Sequence, residues 1–260
     1  MNTLFKESDF PKDFLFQIIS LFISIVLIHS IYLLFIDPAA TFQVALAESE
    51  NRAPDRTLSI ILKDFEQETC LMLAVWALTI IYIKWKRIKE QTAILDTNIF
   101  ADEINEKINL ENIQSHQEEL DKRGKGLLIN ALNAGLHRFK ISENIDEAAS
   151  SAHSVCDQES ERLESELSMI RYIIWAIPSI GFIGTVRGIG EALSQAHIAV
   201  EGDIAGMTAS LGVAFNSTYV ALVVSIFLMF FLHQLQLTQD RLVLDSHEYC
   251  DKNFVANLRN

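Results

Sequence analysis

The chain has 260 residues, of which 50% are hydrophobic, and a formal net charge of −13 at pH 7. Its charged residues are gathered in blocks between apolar runs, which argues against a soluble domain and indicates membrane helices joined by solvated segments. No basic stripe stands out, so nucleic acid is not an expected partner. The acidic residues are interpreted as solvating helices outside the membrane.

The first predicted element is a membrane helix at the end of an N-terminal segment, residues 1–36. The run Phe14–Ile36 contains no charged residue and is longer than the roughly 20 helical residues that cross a bilayer core. Ala45-Leu46-Ala47 resembles a signal-peptide cleavage site, but the apolar run is too long for a secretory signal and its flank is not basic. We therefore expect a retained helix. His29 would pack in it as a neutral, hydrogen-bonded residue or, alternatively, take part in a proton path.

The basic residues predict the placement of the next three segments. Residues 37–68 are expected to form an external loop, residues 69–83 a second membrane helix and residues 84–171 a cytoplasmic helical domain. The 84–171 segment contains twelve Lys and Arg residues, whereas the 37–68 segment contains three. Because cytoplasmic segments are enriched in these residues, both termini and the 84–171 segment are expected in the cytoplasm.

Within the cytoplasmic domain the pattern predicts two breaks between helices. Gly124 and Gly126 interrupt the first helical run. Ser142 is the predicted N-cap of a later helix. Because no Gly or Pro follows before Pro178, this helix is expected to continue directly into the third membrane span.

The third and fourth membrane helices, residues 172–235, each carry a face of small residues, and residues 236–260 follow as a cytoplasmic C-terminal segment. On the third helix the face is formed by Pro178, Gly181, Gly184, Thr185 and Gly188, and on the fourth by Ala214, Ser217, Thr218, Ala221 and Ser225. Small residues at such spacing let another helix backbone approach closely. The ring of Pro178 removes one backbone donor and frees a carbonyl.

Polar groups on these two helices mark a candidate ion pathway. A helical threonine often bonds the carbonyl one turn back, but Thr185 and Thr218 both lie on small faces. Together with Ser217, they favour a polar surface that faces a partner helix or a wet pathway. Arg187 and Glu191, four residues apart, are expected to form a structural ion pair, with a role in ion access as the alternative.

The residues needed for an enzyme are not found in the sequence. The histidines are scattered without a zinc-binding spacing, and neither a phosphate-binding glycine loop nor a Gly-x-Ser-x-Gly elbow occurs. Cys70, Cys156 and Cys250 have no metal or redox spacing and are interpreted as reduced thiols. We therefore expect no enzymatic activity, no cofactor and no metal.

At the two small faces the chain resembles the MotA/TolQ/ExbB family of ion-channel stator proteins. The matching motifs are Pro178-x-x-Gly181-x-x-Gly184-Thr185-Val186-x-Gly188 and Ala214-x-x-Ser217-Thr218-x-x-Ala221-Leu222. The resemblance covers roughly residues 69–235. It departs from the ExbB/TolQ branch at Val213 and Ala221, where that branch often has glutamate and glycine, so the physiological system stays open.

The apolar runs and the helical pattern predict an all-α integral membrane protein with four transmembrane helices and a helical cytoplasmic stalk, and the order of these elements matches the family. The resemblance implies a homopentamer in the lipid bilayer around two copies of a single-span partner of the MotB/TolR/ExbD type with a membrane aspartate. The expected setting, from the placement of Lys and Arg, is a bacterial inner membrane. Thr185 and Thr218 match the pore-facing threonines of the family. The function implied is H⁺ or Na⁺ flow coupled to rotation or force. A non-conducting membrane scaffold is the alternative, and a membrane enzyme would need a polar catalytic cluster that the chain lacks.

Overall fold

The computed structural model describes residues 12–50, 54–96, 108–110, 112–124, 126–200, 202 and 204–259, and within these residues the chain is helical without a β-strand. Residues 1–11 of the predicted N-terminal segment, 51–53 of the predicted external loop and 97–107 of the predicted cytoplasmic domain lie outside the described residues. The α-helices in chain order are α1 (Lys12–Ile31), α2 (Asp37–Ser49), α3 (Leu58–Leu62), α4 (Phe65–Asp96), α5 (Ile113–Lys122), α6 (Leu127–Ser142), α7 (Ile145–Ser165), α8 (Ser168–Ser194), α9 (Ala196–Val200) and α10 (Ala205–Tyr249). A π-helical turn, Tyr32–Ile36, joins α1 to α2, and a second one, Cys250–Phe254, follows α10.

Four helical stretches of the described residues are long and apolar enough to cross a membrane. They are Leu15–Ala47, Phe65–Leu95, Ile145–Ser194 and Ala205–Asn257. The predicted all-α membrane fold with four spanning helices is thereby confirmed. Each stretch extends beyond its apolar run, because charged residues such as Lys84 continue a helix as readily as apolar ones do.

The segment 37–68 differs from the predicted loop. The helix continues through Asp37–Ser49 directly after the π-helical turn Tyr32–Ile36, in which the Asp37 N–H donates to the Tyr32 carbonyl five residues earlier, so Pro38 lies within a continuous helix next to this turn. The Thr41 hydroxyl donates to the Asp37 carbonyl at 2.8 Å. A further helical turn, Leu58–Leu62, follows, so the described part of the segment is largely helical.

Another difference concerns the start of α7. Asn144, not Ser142, is the N-cap: its Oδ1 accepts from the backbone N–H of Asp146 at 2.9 Å and of Glu147 at 3.3 Å. Ser142 instead ends α6, where its hydroxyl donates to the Arg138 carbonyl at 3.1 Å. The predicted continuous helix is also interrupted, by a turn at residues 166–167 between α7 and α8.

The chain divides into two compact units, and each is described by itself. Unit 1 comprises residues 1–81 and 169–232, and unit 2 comprises residues 82–168 and 233–260. In unit 1, α1 is held to α4 by Trp76, whose Nε1 donates to the Gln17 carbonyl at 3.0 Å. Many large apolar side chains of unit 1 are exposed, among them Phe22 and Trp175, as expected of a surface that faces lipid.

Unit 2 is organised around the packing of α6 on α7. Leu132, Leu136 and Phe139 of α6 are fully buried. The C-terminal segment completes this core. The ring of Phe254 lies so close to Gly135 that a Cβ on this glycine would be only 2.7 Å from the ring carbon Cζ. The limits of this unit fall close to the expected domain limits at 84, 171 and 236, and the functional division of the chain stays a prediction.

Candidate functional site

The proline of α8 creates an unpaired carbonyl that α10 satisfies. Pro178 lies inside α8 and has no N–H, so the Ile174 carbonyl four residues earlier loses its helical partner. The hydroxyl of Ser225, from α10, donates to this carbonyl at 3.3 Å. In a bilayer a backbone group must be satisfied internally, so this contact fixes α10 against α8.

The three glycines of α8 lie directly against α10, in what we term the small-residue contact: Gly181, Gly184 and Gly188 with Ala214, Ser217 and Ala221. A Cβ on Gly188 would lie 2.7 Å from both the Ala214 nitrogen and the Ser210 carbonyl oxygen. One on Gly184 would lie 2.6 Å from the Ser217 Cβ and 3.1 Å from the Glu66 Cγ, and one on Gly181 would overlap the Ala221 Cβ. The glycines are thus required by the close approach of the two backbones.

A hydroxyl cluster, formed by Thr185, Ser217 and Thr218, lies in the same contact. The Gly181 carbonyl is the shared acceptor, 3.1 Å from Thr218 Oγ1, 3.2 Å from Ser217 Oγ and 3.3 Å from Thr185 Oγ1. Thr185 and Thr218 are also hydrogen-bonded to each other. Because a hydroxyl carries one proton and can also accept, these contacts are alternatives among which the protons can be redistributed.

The three hydroxyls of the cluster differ in exposure. Thr185 and Thr218 are partly exposed, whereas Ser217 is fully buried. The Ser217 hydroxyl has two acceptors, since it also lies 3.0 Å from the Ala214 carbonyl oxygen. Contrary to the expected pore-facing position, Ser217 therefore belongs to the helix packing of this protomer, and only the two threonines present hydroxyls at a surface.

An ionic cluster lies beside the hydroxyl cluster and was only partly foreseen. Arg187 contacts Glu191 at 3.1 Å, as the four-residue spacing suggests. Its stronger partner is Glu66 from α4, which accepts from Nε at 2.8 Å and from Nη2 at 2.9 Å. Glu66 is buried, so this bidentate pair keeps it ionised and neutralised by Arg187. Because the partners are 121 positions apart in the sequence, their spacing gave no signal of the contact.

Asp64, just before α4, is a third acidic neighbour of Arg187. One of its oxygens, Oδ1, lies 3.9 Å from Arg187 Nη2. The other, Oδ2, is buried without a partner among the described residues. Burial raises the pKa of Asp64 above its ordinary value, against the lowering charges of Lys63 and Arg187. This carboxyl therefore takes up a proton more readily than a surface aspartate.

Two further polar contacts join distant parts of unit 1. Arg56 Nη2 donates to Asn216 Oδ1 of α10 at 3.0 Å, a contact that sequence reasoning missed. His29 Nδ1 lies 2.7 Å from Glu68 Oε1. The His29 side chain is 57% exposed, so the described residues of this protomer do not enclose it.

Between Tyr172 and Val186 of α8, and between Leu211 and Leu232 of α10, no acidic residue occurs. The nearby buried carboxylate, Glu66, is occupied by Arg187. The site can therefore offer hydroxyls and a carbonyl to an ion or to a polar group. It has no carboxylate on these two helices to carry a charge across.

The comparisons with known proteins give one match. The model of the MotA/TolQ/ExbB proton channel family matches residues 123–248, a region that begins later and ends later than the resemblance at 69–235. Searches of curated proteins and of solved structures each gave no match. The matched region contains α8 and α10, and hence the small-residue contact and the two threonines.

The glycine requirement can be tested with two substitutions in one helix. Gly188→Ala should destabilise the protein by about 1–3 kcal/mol, because the new methyl would meet backbone atoms of α10 that cannot yield cheaply. Gly190→Ala is the matched control, because nothing lies within 4 Å of its Cβ position. It should be neutral or stabilising by up to about 1 kcal/mol. Thermal unfolding of the detergent-solubilised chain checks this, and equal midpoints for both variants would contradict the close approach.

The role of the Arg187 pairing is tested separately. Glu66→Gln should lower the free energy of unfolding by about 1–3 kcal/mol, because it breaks a bidentate contact of a buried carboxylate. The range is lower than for a fully buried pair because the Arg187 side chain is 41% exposed. Glu191→Gln, at an exposed position, should cost less than about 0.5 kcal/mol. The same unfolding measurement compares them. A larger loss for Glu191→Gln would show that the pairing with Glu66 is not the structural one.

Proposed function

Over residues 123–248 this chain belongs to the MotA/TolQ/ExbB proton channel family, and on that premise we propose that it is the ion-conducting stator subunit of a membrane motor. This family is one of channels rather than of enzymes. In the proposal, the flow of H⁺, or alternatively Na⁺, through the assembly drives rotation of, or force on, a single-span partner protein. The expected location is a bacterial inner membrane.

One observation carries the proposal: a pair of partly exposed threonines on two closely packed helices whose apolar runs contain no acidic residue. Thr185 and Thr218 are hydrogen-bonded to each other and share the Gly181 carbonyl. Their hydroxyls can accept a hydrogen bond from a protonated group or coordinate a cation.

A second chain is required because this one has no free carboxylate on α8 or α10 within the apolar runs. We propose that a partner of the MotB/TolR/ExbD type supplies a membrane aspartate opposite the two threonines. Five copies of this chain would surround two copies of the partner. Protonation of the aspartate removes its charge and allows its helix to move past one threonine pair to the next, and deprotonation fixes it again.

The alternative function, a non-conducting scaffold, is favoured by one specific feature. The hydroxyls of Thr185, Ser217 and Thr218 all have acceptors within the protomer. Helix packing alone would therefore account for their presence. A scaffold would need the small faces but not the proton of either threonine.

Replacing each threonine by valine separates these functions. Thr185→Val and Thr218→Val keep the side-chain shape and remove the hydroxyl, so ion flux through the assembly should fall roughly tenfold or more. A hydrogen bond to a charged group is worth about 1.5–3 kcal/mol, which corresponds to this factor in rate. The measurement is proton flux into liposomes that contain the assembly purified from cells through a tag on this chain.

Thr79→Val is the matched control. Thr79 is a partly buried threonine of α4 whose hydroxyl donates to the Val75 carbonyl at 2.8 Å, and its loss should leave flux unchanged. Subunit counting by native mass spectrometry should show that all three variants retain the assembly. Unchanged flux in Thr185→Val and Thr218→Val would leave the scaffold as the better account.

A further inference from the structure

The unpartnered buried oxygens of unit 1 are concentrated around the start of α4. Among the described residues of this unit, the buried side-chain oxygens without a hydrogen-bond partner are Tyr32 Oη, Asp64 Oδ2 and Gln67 Oε1. Tyr32 is 2% exposed and Gln67 is fully buried. Because buried polar groups are nearly always hydrogen-bonded, a group of unpartnered ones calls for a specific explanation.

Asp64 and Gln67 share the first turn of α4. Asp64 directly precedes the helix, and its carbonyl accepts from the Gln67 N–H at 3.1 Å. The Gln67 side chain folds back over this turn, since its Nε2 donates to the Ile61 carbonyl at 3.0 Å. The unpartnered Gln67 Oε1 therefore belongs to the same turn as the Asp64 carboxyl.

Tyr32 is at the level of Asp64 on the neighbouring helix. The contacts of α1 with α4 join residues whose numbers rise in one helix and fall in the other: Ser20 with Trp76, and His29 with Glu68. The two helices are therefore antiparallel. Tyr32 follows His29 by about one helical turn, and Asp64 precedes Glu68 by about one turn. This register places Tyr32 and Asp64 at the same height.

The guanidinium of Arg187 does not satisfy the Asp64 carboxyl. It donates to Glu66 at 2.8 Å and 2.9 Å and to Glu191 at 3.1 Å. Asp64 Oδ1 is 3.9 Å from Arg187 Nη2, which is beyond hydrogen-bond distance. One guanidinium thus faces three carboxylates. This surplus of negative charge favours a proton on one of them, and Asp64 is the one that is not hydrogen-bonded to Arg187.

The surroundings of Asp64 let it bind a proton and exchange it with solvent. The charged and titratable groups that face it are Lys63, Arg187, Glu66 and Tyr32. Burial raises the pKa of Asp64 against the lowering charges of Lys63 and Arg187, and Glu66 adds to the rise. The side chain keeps 14% of its surface exposed. An open pocket lined by α2 and Lys63 also brings solvent to the preceding residue.

A proton on Asp64 accounts for the unpartnered oxygens. An ionised carboxylate can only accept hydrogen bonds, whereas a protonated carboxyl gains one O–H donor. Acceptors for this donor are at hand, because Gln67 Oε1 in the same turn and Tyr32 Oη at the same height have no partner among the described residues. The three side chains therefore suit the protonated form of Asp64.

Asp64 also lies next to the proposed ion path. Glu66, two residues further on, packs against α8, with its Cγ 3.1 Å from the position of a Cβ on Gly184. Gly184 directly precedes Thr185, one of the two threonines of that path. Because residues 37–68 are predicted to be external, Asp64 would lie on the side from which the ion enters.

We propose that Asp64 is the proton-binding residue at the outer end of the ion path, so that it takes up H⁺ before the ion reaches Thr185 and Thr218. A hydronium ion would give its proton to Asp64 Oδ2 and leave as water, and the proton would later pass on toward the threonines, so no electron is transferred. Gln67 and Tyr32 would accept from the protonated carboxyl. This inference rests on the proposed function, because it assigns an entry residue to the same path.

The first test measures the protonation of Asp64 in the full chain alone, purified in detergent. Infrared difference spectra between acidic and neutral pH should show a protonated-carboxyl band that Asp64→Asn removes. Asparagine caps a helix as well as aspartate does, so this variant should fold. Asp55→Asn is the matched control, because Asp55 is an exposed aspartate of the same segment, and it should keep the band.

The pH at which this band appears decides the proposal. The Asp64 carboxyl should be half-protonated at a higher pH than the Asp55 carboxyl, and added Na⁺ should leave this midpoint unchanged. A midpoint for Asp64 no higher than that for Asp55 would overturn the proposal. A midpoint that falls when Na⁺ is added would also overturn it, because the three oxygens would then hold a metal cation in place of the proton.

The second test measures proton flux through the purified assembly in liposomes, with native mass spectrometry to show that each variant retains its subunits. Flux in Asp64→Asn should fall about tenfold, less than the roughly 100-fold or more that a positioned proton-transferring side chain contributes to catalysis, because water can also deliver protons to the threonines directly. Flux in Asp55→Asn should equal that of the wild type.

The flux measurement separates this inference from the proposed function. A conducting wild type with equal flux in Asp64→Asn would overturn the entry role of Asp64 and leave the proposed function in place. A wild-type assembly without proton flux would instead overturn the proposed function, and the entry role with it.

Discussion

The structure depends on one missing backbone donor in the middle of a membrane helix. Pro178 leaves the Ile174 carbonyl unpaired where no water can replace the lost bond, and Ser225 of α10 supplies the hydrogen. Nearly two turns further along, the Gly181 carbonyl is the acceptor for three hydroxyls. These contacts hold α8 and α10 in one register, and the glycines allow the close approach that the contacts need. Thr185 and Thr218 meet because of that register.

The distribution of charge around this contact is the reason why we propose a second chain. Arg187 is compensated by Glu66 and Glu191, so the ionic cluster is a fixed network rather than a carrier. The hydroxyl cluster itself is neutral. The apolar runs of α8 and α10 offer hydroxyls and a carbonyl but no acid, so they can receive a charged or protonated group and have no carboxylate of their own to carry a charge. This combination is the basis of the proposed ion path, whose carboxylate would come from the partner.

The sequence predicted the features that repeat at helical spacing and missed those that depend on tertiary contact. The glycines of α8 and the small residues of α10 were visible as faces, because membrane packing selects small residues there. The contacts of Glu66 with Arg187 and of Asn216 with Arg56 were not visible, because an ion pair or hydrogen bond between residues far apart in the sequence leaves no local pattern. The helices also extend beyond their apolar runs, as in Asp37–Ser49. Hydropathy indicates which residues lie in the membrane, and it does not indicate where a helix ends. The ion pairs of His153 with Asp251 and of His247 with Asp157 were missed for a similar reason, because only the fold brings these residues together.

Proton flux through the purified chain alone tests the account most directly. Liposomes that contain only this chain should, under an imposed pH gradient and membrane potential, conduct no more than protein-free liposomes. Flux should appear when the chain is reconstituted together with a co-purified single-span partner that has a membrane aspartate. Conduction by the chain alone, abolished by Thr185→Val, would contradict the claim that this protomer provides one side of an ion path and another chain provides its carboxylate.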